Sequence, residues 1–442
     1  MSTIASTREV RNTAGAMLLA RAWSAIAGPA QLAATAHFLS PDEQGYAYTF
    51  GAMLALSAVF ELGLGQVMVN TVAHHAAGCR VSRAGLEGPE AAQAIIRGLA
   101  GTAVRWCGTA SVLFAVVLGV SAQGLFLRPS LSVNWQLPWL LALASACAAM
   151  AVGPVLATLE GLGDLRALSW MRVFAAMAGT MSAVASLVAG LGLWSIGIGM
   201  AVNLAVQTGW VLRERGNFVH ALGKAGASAR LWRREVWPLQ WRFALSWLGG
   251  YVIFQAIVPL SFASLGPARA GQVGMSMAIG WAIIGVSSIW VNASIPDFAR
   301  LAAAREDRAL LQRLEWSLRR GMAVACALAV SGSVLAALTQ HRGLPLVDRV
   351  LEWPLFALVL ATAVSHTLQS ALAAALRSYR REPMLRLVLA ETAVLALALP
   401  LALHAGRMEL ALLLYAIVHG VIGLAFTLVI FNARMRGDPA AQ

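Results

Sequence analysis

The amino-acid sequence predicts an all-α polytopic membrane protein of about twelve transmembrane helices in two sets of six, and three observations predict it. Of the 442 residues, 59% are hydrophobic and 12% are charged, too apolar a balance for a domain that needs a polar shell. Apolar runs of about 20 residues, the length that crosses a hydrocarbon core of about 30 Å, recur along the chain. Basic residues cluster at alternate ends of those runs, the bias that keeps Arg and Lys in cytoplasmic loops.

Taken in order, the runs place helices at 14–38, 47–72, 99–121, 137–159, 167–190 and 193–212, then at 242–264, 271–295, 321–339, 354–376, 384–404 and 409–431. Ala34-Thr35-Ala36 has the spacing of a signal cleavage site. The stretch from Ala14 to Phe38 is longer than a signal core and carries Arg21, so an uncleaved first span is expected. An arrangement with both termini inside puts 27 of the 33 Arg and Lys in the cytoplasm, five outside (Arg128, Arg269, Arg342, Arg349, Arg407) and Arg21 in the membrane. The expected location is therefore a cell inner membrane, with both termini cytoplasmic. Trp135, Trp139, Trp194 and Trp353 fall at predicted outer ends, where an aromatic belt is expected.

Residues 1–220 form the predicted first lobe and 221–442 the second, which opens with a cytoplasmic amphipathic linker. That linker, within 213–241, carries Arg230, Trp232, Arg233, Arg234, Trp237 and Trp241 and reads as an interfacial helix. Arg300 to Arg320 reads similarly, with Leu310, Leu311, Leu314 and Leu318 on one face and Arg308, Arg313 and Arg319 elsewhere. Leu39, Pro41 and Gly45 recur as Leu265, Pro267 and Gly271 at an offset of 226 residues, the mark of a duplication. Each lobe has an even helix count, so the two share one orientation. Pro29, Pro154 and Pro259 interrupt spans and mark bends, whether hinges or fixed kinks.

The formal charge of +13 does not indicate a nucleic-acid partner, because the arginines sit at helix ends rather than on one soluble face. Cys79, Cys107, Cys147 and Cys326 form no metal or redox spacing. No nucleotide loop, zinc pattern or nucleophile elbow occurs, so neither cofactor nor metal is expected and the chain reads as a non-enzyme.

Ionisable side chains within the bilayer are functional candidates by default. Arg21 lies roughly 8 Å, and Glu61 about 3 Å, to the cytoplasmic side of the middle of the first two helices. The two fall within reach, either as a structural ion pair or as part of a binding site. Glu391, His366 and His419 lie near the middles of helices eleven, ten and twelve, a set suited either to interhelical hydrogen bonds or to proton coupling. Arg105, Arg172, Arg242, Arg377 and Arg386 lie near cytoplasmic helix ends, either snorkelling to headgroups or forming a cationic entrance.

The string Phe38-Leu39-Ser40-Pro41-Asp42-Glu43-Gln44-Gly45-Tyr46, continued by Phe60-Glu61-Leu62-Gly63-Leu64-Gly65, resembles the start of polysaccharide transporter family proteins, which include O-antigen flippases. Pro41 and Gly45 would make a tight outer turn, while Gly63 and Gly65 would allow close helix approach. The resemblance covers about the first 75 residues and implies the multidrug/oligosaccharidyl-lipid/polysaccharide exporter superfamily, with two six-helix lobes around a central cavity. It implies a flippase that moves a lipid-linked oligosaccharide, a polyprenyl-pyrophosphate sugar, by alternating access for polysaccharide biosynthesis. Arg21, Glu61, Arg172 and Arg242 would then bind substrate, while Glu391, His366 and His419 would couple an ion. Membrane lipids and glycosyltransferases or a polymerase of the same pathway are the expected partners. The competing readings are a cation-coupled multidrug exporter of the same superfamily and a non-transporting scaffold for glycosyltransferases.

Overall fold

The computed structural model describes residues 7–127, 133–223, 231–343, 347–379 and 384–435. Contacts divide the chain into two compact units, Met1–Leu39 with Met53–Leu248, and Ser40–Ala52 with Gly249–Gln442. Residues 231–248 thus pack with the first unit, and 40–52 with the second. Among the described residues, ten helices are long and apolar enough to cross a membrane, and a pair bent by 45° makes an eleventh if it forms one span. The 32-residue helix α1 (Thr7–Phe38) occupies the place of the predicted first span. The chain is a multi-pass membrane protein.

In the first unit, the second predicted span is broken rather than continuous. Its C-terminal portion consists of α3 (Ser57–Phe60) and α4 (Leu64–His75), separated by Glu61, Leu62 and Gly63. Leu62 and Gly63 are left-handed, with φ of 54° and 65°. Gly63 therefore serves the break, and Gly65 faces open space, so Gly65 does not make the close helix contact expected of it. A hairpin of β1 (Arg80–Ser82) and β2 (Gly85–Glu87) follows, antiparallel with Val81 opposite Leu86. The long helices are α5 (Glu90–Phe126), α6 (Gln136–Gly161), α7 (Leu165–Val188) and α8 (Trp194–Gly223). Their core gathers Met68, Leu99, Leu159 and Phe218, each fully buried.

The linker departs in part from the interfacial helix expected of it: Trp237 and Trp241 are exposed, but Trp232 is not. Trp232 and Val236, in a π-helical turn at Trp232–Val236, are buried in the core of the first unit, and Trp106 lies 6.3 Å from Trp232 and 6.0 Å from Trp237. His75 and Glu235 pair at 2.9 Å. An aromatic pair contributes about 0.5 to 1.5 kcal/mol beyond the area it buries, which favours Trp232 in the core against Trp106. Arg230 lies outside the described residues. Trp135 and Trp139 likewise pack on Phe126 and are buried, so neither is the belt residue expected, while Trp194 and Trp353 are exposed.

The second unit begins with α2 (Pro41–Leu54). Pro41 is its first residue rather than part of a loop; the Glu43 backbone N–H donates to Ser40 Oγ at 3.2 Å and the Ser40 backbone N–H donates to Glu43 Oε2 at 2.9 Å. This is the reciprocal capping box that satisfies free N–H groups at a helix start. The bent pair follows as α9 (Trp237–Phe254), whose final turns belong to this unit, and α10 (Ile257–Leu265). Pro259 just past the bend cannot donate a backbone hydrogen bond, which accounts for the kink there. Helices α11 (Pro267–Ser287) and α12 (Ile289–Ala303) precede α13 (Asp307–His341), α14 (Trp353–Arg377) and α15 (Leu385–His404). The last span is α16 (Met408–Tyr415), a π-helical segment Ala416–Ile422, and α17 (Gly423–Met435). Instead of a separate surface helix, 307–320 is the start of α13: Leu310 and Leu314 are buried in the core, which draws this stretch onto the unit.

Candidate functional site

The ionisable residues predicted inside the second lobe converge. Glu391 comes from α15, His366 from α14 and His419 from the π-helical segment. Glu391 and His419 are 5% and 4% exposed. His419 Nδ1 lies 2.9 Å from Glu391 Oε2, and His419 Nε2 lies 3.1 Å from His366 Nδ1. A neutral His419 that donates Nδ1–H to the carboxylate presents Nε2 as an acceptor. His366 Nδ1–H then completes an unbroken chain.

The local backbone makes this alignment possible. A π-helical turn adds a residue to the register and is common at functional sites, and here it carries His419. Its backbone is held from α14: Gln369 Nε2 donates to the His419 carbonyl at 2.9 Å, and Ser365 Oγ donates to the Gly420 carbonyl at 2.5 Å. A β-carbon at Gly423 would collide with Glu391 Oε1 and lie 3.2 Å from Gln369 Oε1, so only glycine leaves room for the carboxylate. Glu391 Oε1 is buried with no hydrogen-bond partner among the described residues.

Aromatic rings wall the chain. Phe254 stands edge-on to His366 at 4.9 Å and to His419 at 5.1 Å, with Trp281 5.7 Å from His366 and Tyr415 5.8 Å from His419. His366 reaches a cavity of about 20 Å³ lined also by Phe254, Trp281, Thr362 and Tyr415, large enough for one water. The arrangement is a carboxylate, two imidazoles and a water-sized space in series, which can hold and pass a proton.

The first unit contains a larger cavity, of about 350 Å³. Gln31 of α1, Ser145 of α6, Thr180 of α7, and Asn203 and Gln207 of α8 supply its polar groups, beside Gly179 and Gly199. Gln207 Nε2 donates to Asn203 Oδ1 at 2.5 Å. No charged side chain lines it among the described residues. Sequence reasoning passed over these residues; the available signal was the Asn203 and Gln207 pair, two amides at i, i+4 in an apolar span.

Glu61 sits in the break between α3 and α4, half-buried, its backbone N–H donating to Ser57 O at 2.9 Å. The side chains of Arg21 and Arg242 lie outside the described residues, so the Arg21–Glu61 pairing does too. Arg172 is exposed and paired with Glu160 at 2.5 Å. The structure therefore brings together Glu391, His366 and His419, the three residues expected to couple an ion, and does not join Arg172 to Glu61.

No protein-family model and no curated protein matches the chain. Solved structures do. A multidrug resistance MATE family transporter of the MOP superfamily, inward-facing, matches with a TM-score of 0.62 at 12% identity over 94% of this chain and 96% of that one. A mutant of the Vibrio cholerae MATE transporter VcmN matches with a TM-score of 0.56 at 15% identity over 98% of each. A MOP superfamily transporter from Pyrococcus furiosus, described as having a binding pocket of reverse polarity that suggests a different function, matches with a TM-score of 0.54 at 12% identity over 97% and 96%. The chain has the fold of MOP superfamily transporters.

Proposed function

We propose that this protein is a proton-coupled exporter of an amphipathic organic solute, working by alternating access. The observation that carries the reading is the Glu391–His419–His366 chain, buried within a transporter fold and ending at a water-sized cavity. A proton reaching His366 can pass through His419 by exchange of N–H partners and neutralise Glu391. The protonated and ionised forms differ by one buried charge, and burying a charge without full pairing costs several kcal/mol. Any conformation that admits water favours the ionised form, and a closed one favours the protonated form. That difference couples titration to conformation, and each unit of pH gradient supplies about 1.4 kcal/mol.

The first-unit cavity suits the solute. Its carboxamides and hydroxyls can orient a ligand by hydrogen bonds, while its small apolar residues leave room for a ring system. The MATE transporters that share the fold support an exporter. The lipid-linked oligosaccharide reading rests on the string from Phe38 to Gly65 and needs fixed cations for a pyrophosphate, which the described lining of this cavity does not supply.

The test is uptake of an amphipathic dye into proteoliposomes of the purified protein under an imposed pH gradient. Accumulation that collapses with a protonophore supports the reading. Transport indifferent to the gradient, with lipid-linked oligosaccharide as the only substrate moved, overturns it.

A further inference from the structure

Helix α13 has 35 residues, about 52 Å of helix. Its stretch from Gly321 to Gln340 has no charged side chain and at 1.5 Å per residue spans about 30 Å, the thickness of a hydrocarbon core. Arg320, the residue just before it, therefore stands at headgroup level. Trp316 lies one turn earlier, 39% exposed, and both Arg313 and Arg320 lie against its ring, with guanidinium carbons 4.6 Å and 4.0 Å from the centroid.

The neighbouring charges are accounted for by acids. Asp297 takes Arg313 at 3.1 Å and Arg300 at 3.3 Å, and Glu315 takes Arg319 at 2.5 Å. Arg320 forms no ion pair among the described residues, and its charge is met only by the indole face. Leu310, Leu314 and Ser317 point into the unit, with Ser317 bonded to Ser294 at 2.8 Å. The helix is thus fixed in rotation, with Trp316 and Arg320 turned outward. An indole that holds a guanidinium at phosphate depth orders a fork with donors still free.

We propose that Trp316 and Arg320, with Arg313 beside them, form a binding site for the phosphate of an anionic phospholipid. Charge complementarity and depth both select a lipid headgroup. Arg320 contributes the hydrogen-bonding fork and Trp316 the platform that orients it, while Arg313 and Arg300 share the single carboxylate of Asp297 and so leave a net positive charge beside the fork.

The experiment is the thermal melting of the purified full-length protein in detergent, titrated with phosphatidylglycerol, phosphatidylcholine or inorganic phosphate. Phosphatidylglycerol should raise the melting temperature of the wild type and the other two should not. The half-saturating concentration should rise about fivefold in Arg320→Gln, the equivalent of about 1 kcal/mol for one basic residue near an anionic surface. Trp316→Ala should also weaken the response, and Arg319→Gln, an exposed arginine already paired with Glu315, should leave it unchanged. The site is refuted if Arg320→Gln saturates with the wild type, if Arg319→Gln weakens the response equally, or if inorganic phosphate alone reproduces the shift.

Discussion

Gly45 of α2 and Gly271 of α11, equivalent positions of the repeated Leu-x-Pro-x-x-x-Gly motif, pack directly on each other. A β-carbon on Gly271 would lie 2.9 Å from the Gly45 backbone nitrogen and 3.2 Å from the Pro41 carbonyl oxygen, and one on Gly45 would collide with the Pro267 carbonyl. Gln44 secures the crossing, donating from Nε2 to the carbonyls of Gly271 and Arg349, each at 2.9 Å. The duplicated motif therefore starts two helices and supplies the smooth surfaces on which they cross.

Gly45→Val should destabilise the protein by at least the 1 to 3 kcal/mol typical of overpacking, because the clash is with backbone and no rotamer relieves it. Melting in detergent checks this; a variant that melts with the wild type would mean that the crossing is loose.

Two glycines two residues apart in the first unit should respond oppositely. Gly63 has φ of 65° at the break, whereas Gly65 lies inside α4 with nothing within 4 Å of a β-carbon. Gly63→Ala should cost about 1 to 2 kcal/mol for the left-handed backbone. Gly65→Ala should be neutral or stabilising by up to about 1 kcal/mol. Paired melting curves settle the order, and equal effects would contradict a fixed break beside Glu61.

Two ion pairs at one end of the first unit offer a similar contrast. Arg215 and Asp164 are 12% and 14% exposed and meet at 2.7 Å, whereas Arg83, at 2.6 Å from Glu214, is 72% exposed. Arg215→Ala should cost about 3 to 5 kcal/mol, since Asp164 is left with a mostly buried charge. Arg83→Ala should cost at most about 1 kcal/mol, less in high salt. Melting temperatures of the two variants at low and high salt distinguish the cases.

The spans were legible because lipid demands apolar runs of a set length, and the buried trio was legible because Glu391, His366 and His419 are conspicuous in such runs. What escaped detection was backbone irregularity. Nothing in Glu61-Leu62-Gly63 distinguishes a break from an ordinary small-residue helix face, since Gly65 nearby remains helical. The run from Ala416 to Ile422 fits an α-helix as well as the π-helical segment it forms; the choice is made by Gln369 and Ser365, about 50 residues away. Trp232 read as a surface anchor because its partner Trp106 lies far off in the chain. The polar lining of the first-unit cavity escaped notice because uncharged amides barely alter hydropathy.

The most direct test of the account is Glu391→Gln in proteoliposomes, scored for both solute exchange at equal pH and accumulation driven by a pH gradient. Glutamine keeps the volume and a hydrogen-bonding oxygen for His419 but cannot take up the proton. The account predicts that exchange persists near the wild-type rate while gradient-driven accumulation is lost. Accumulation at the wild-type level in this variant would contradict it.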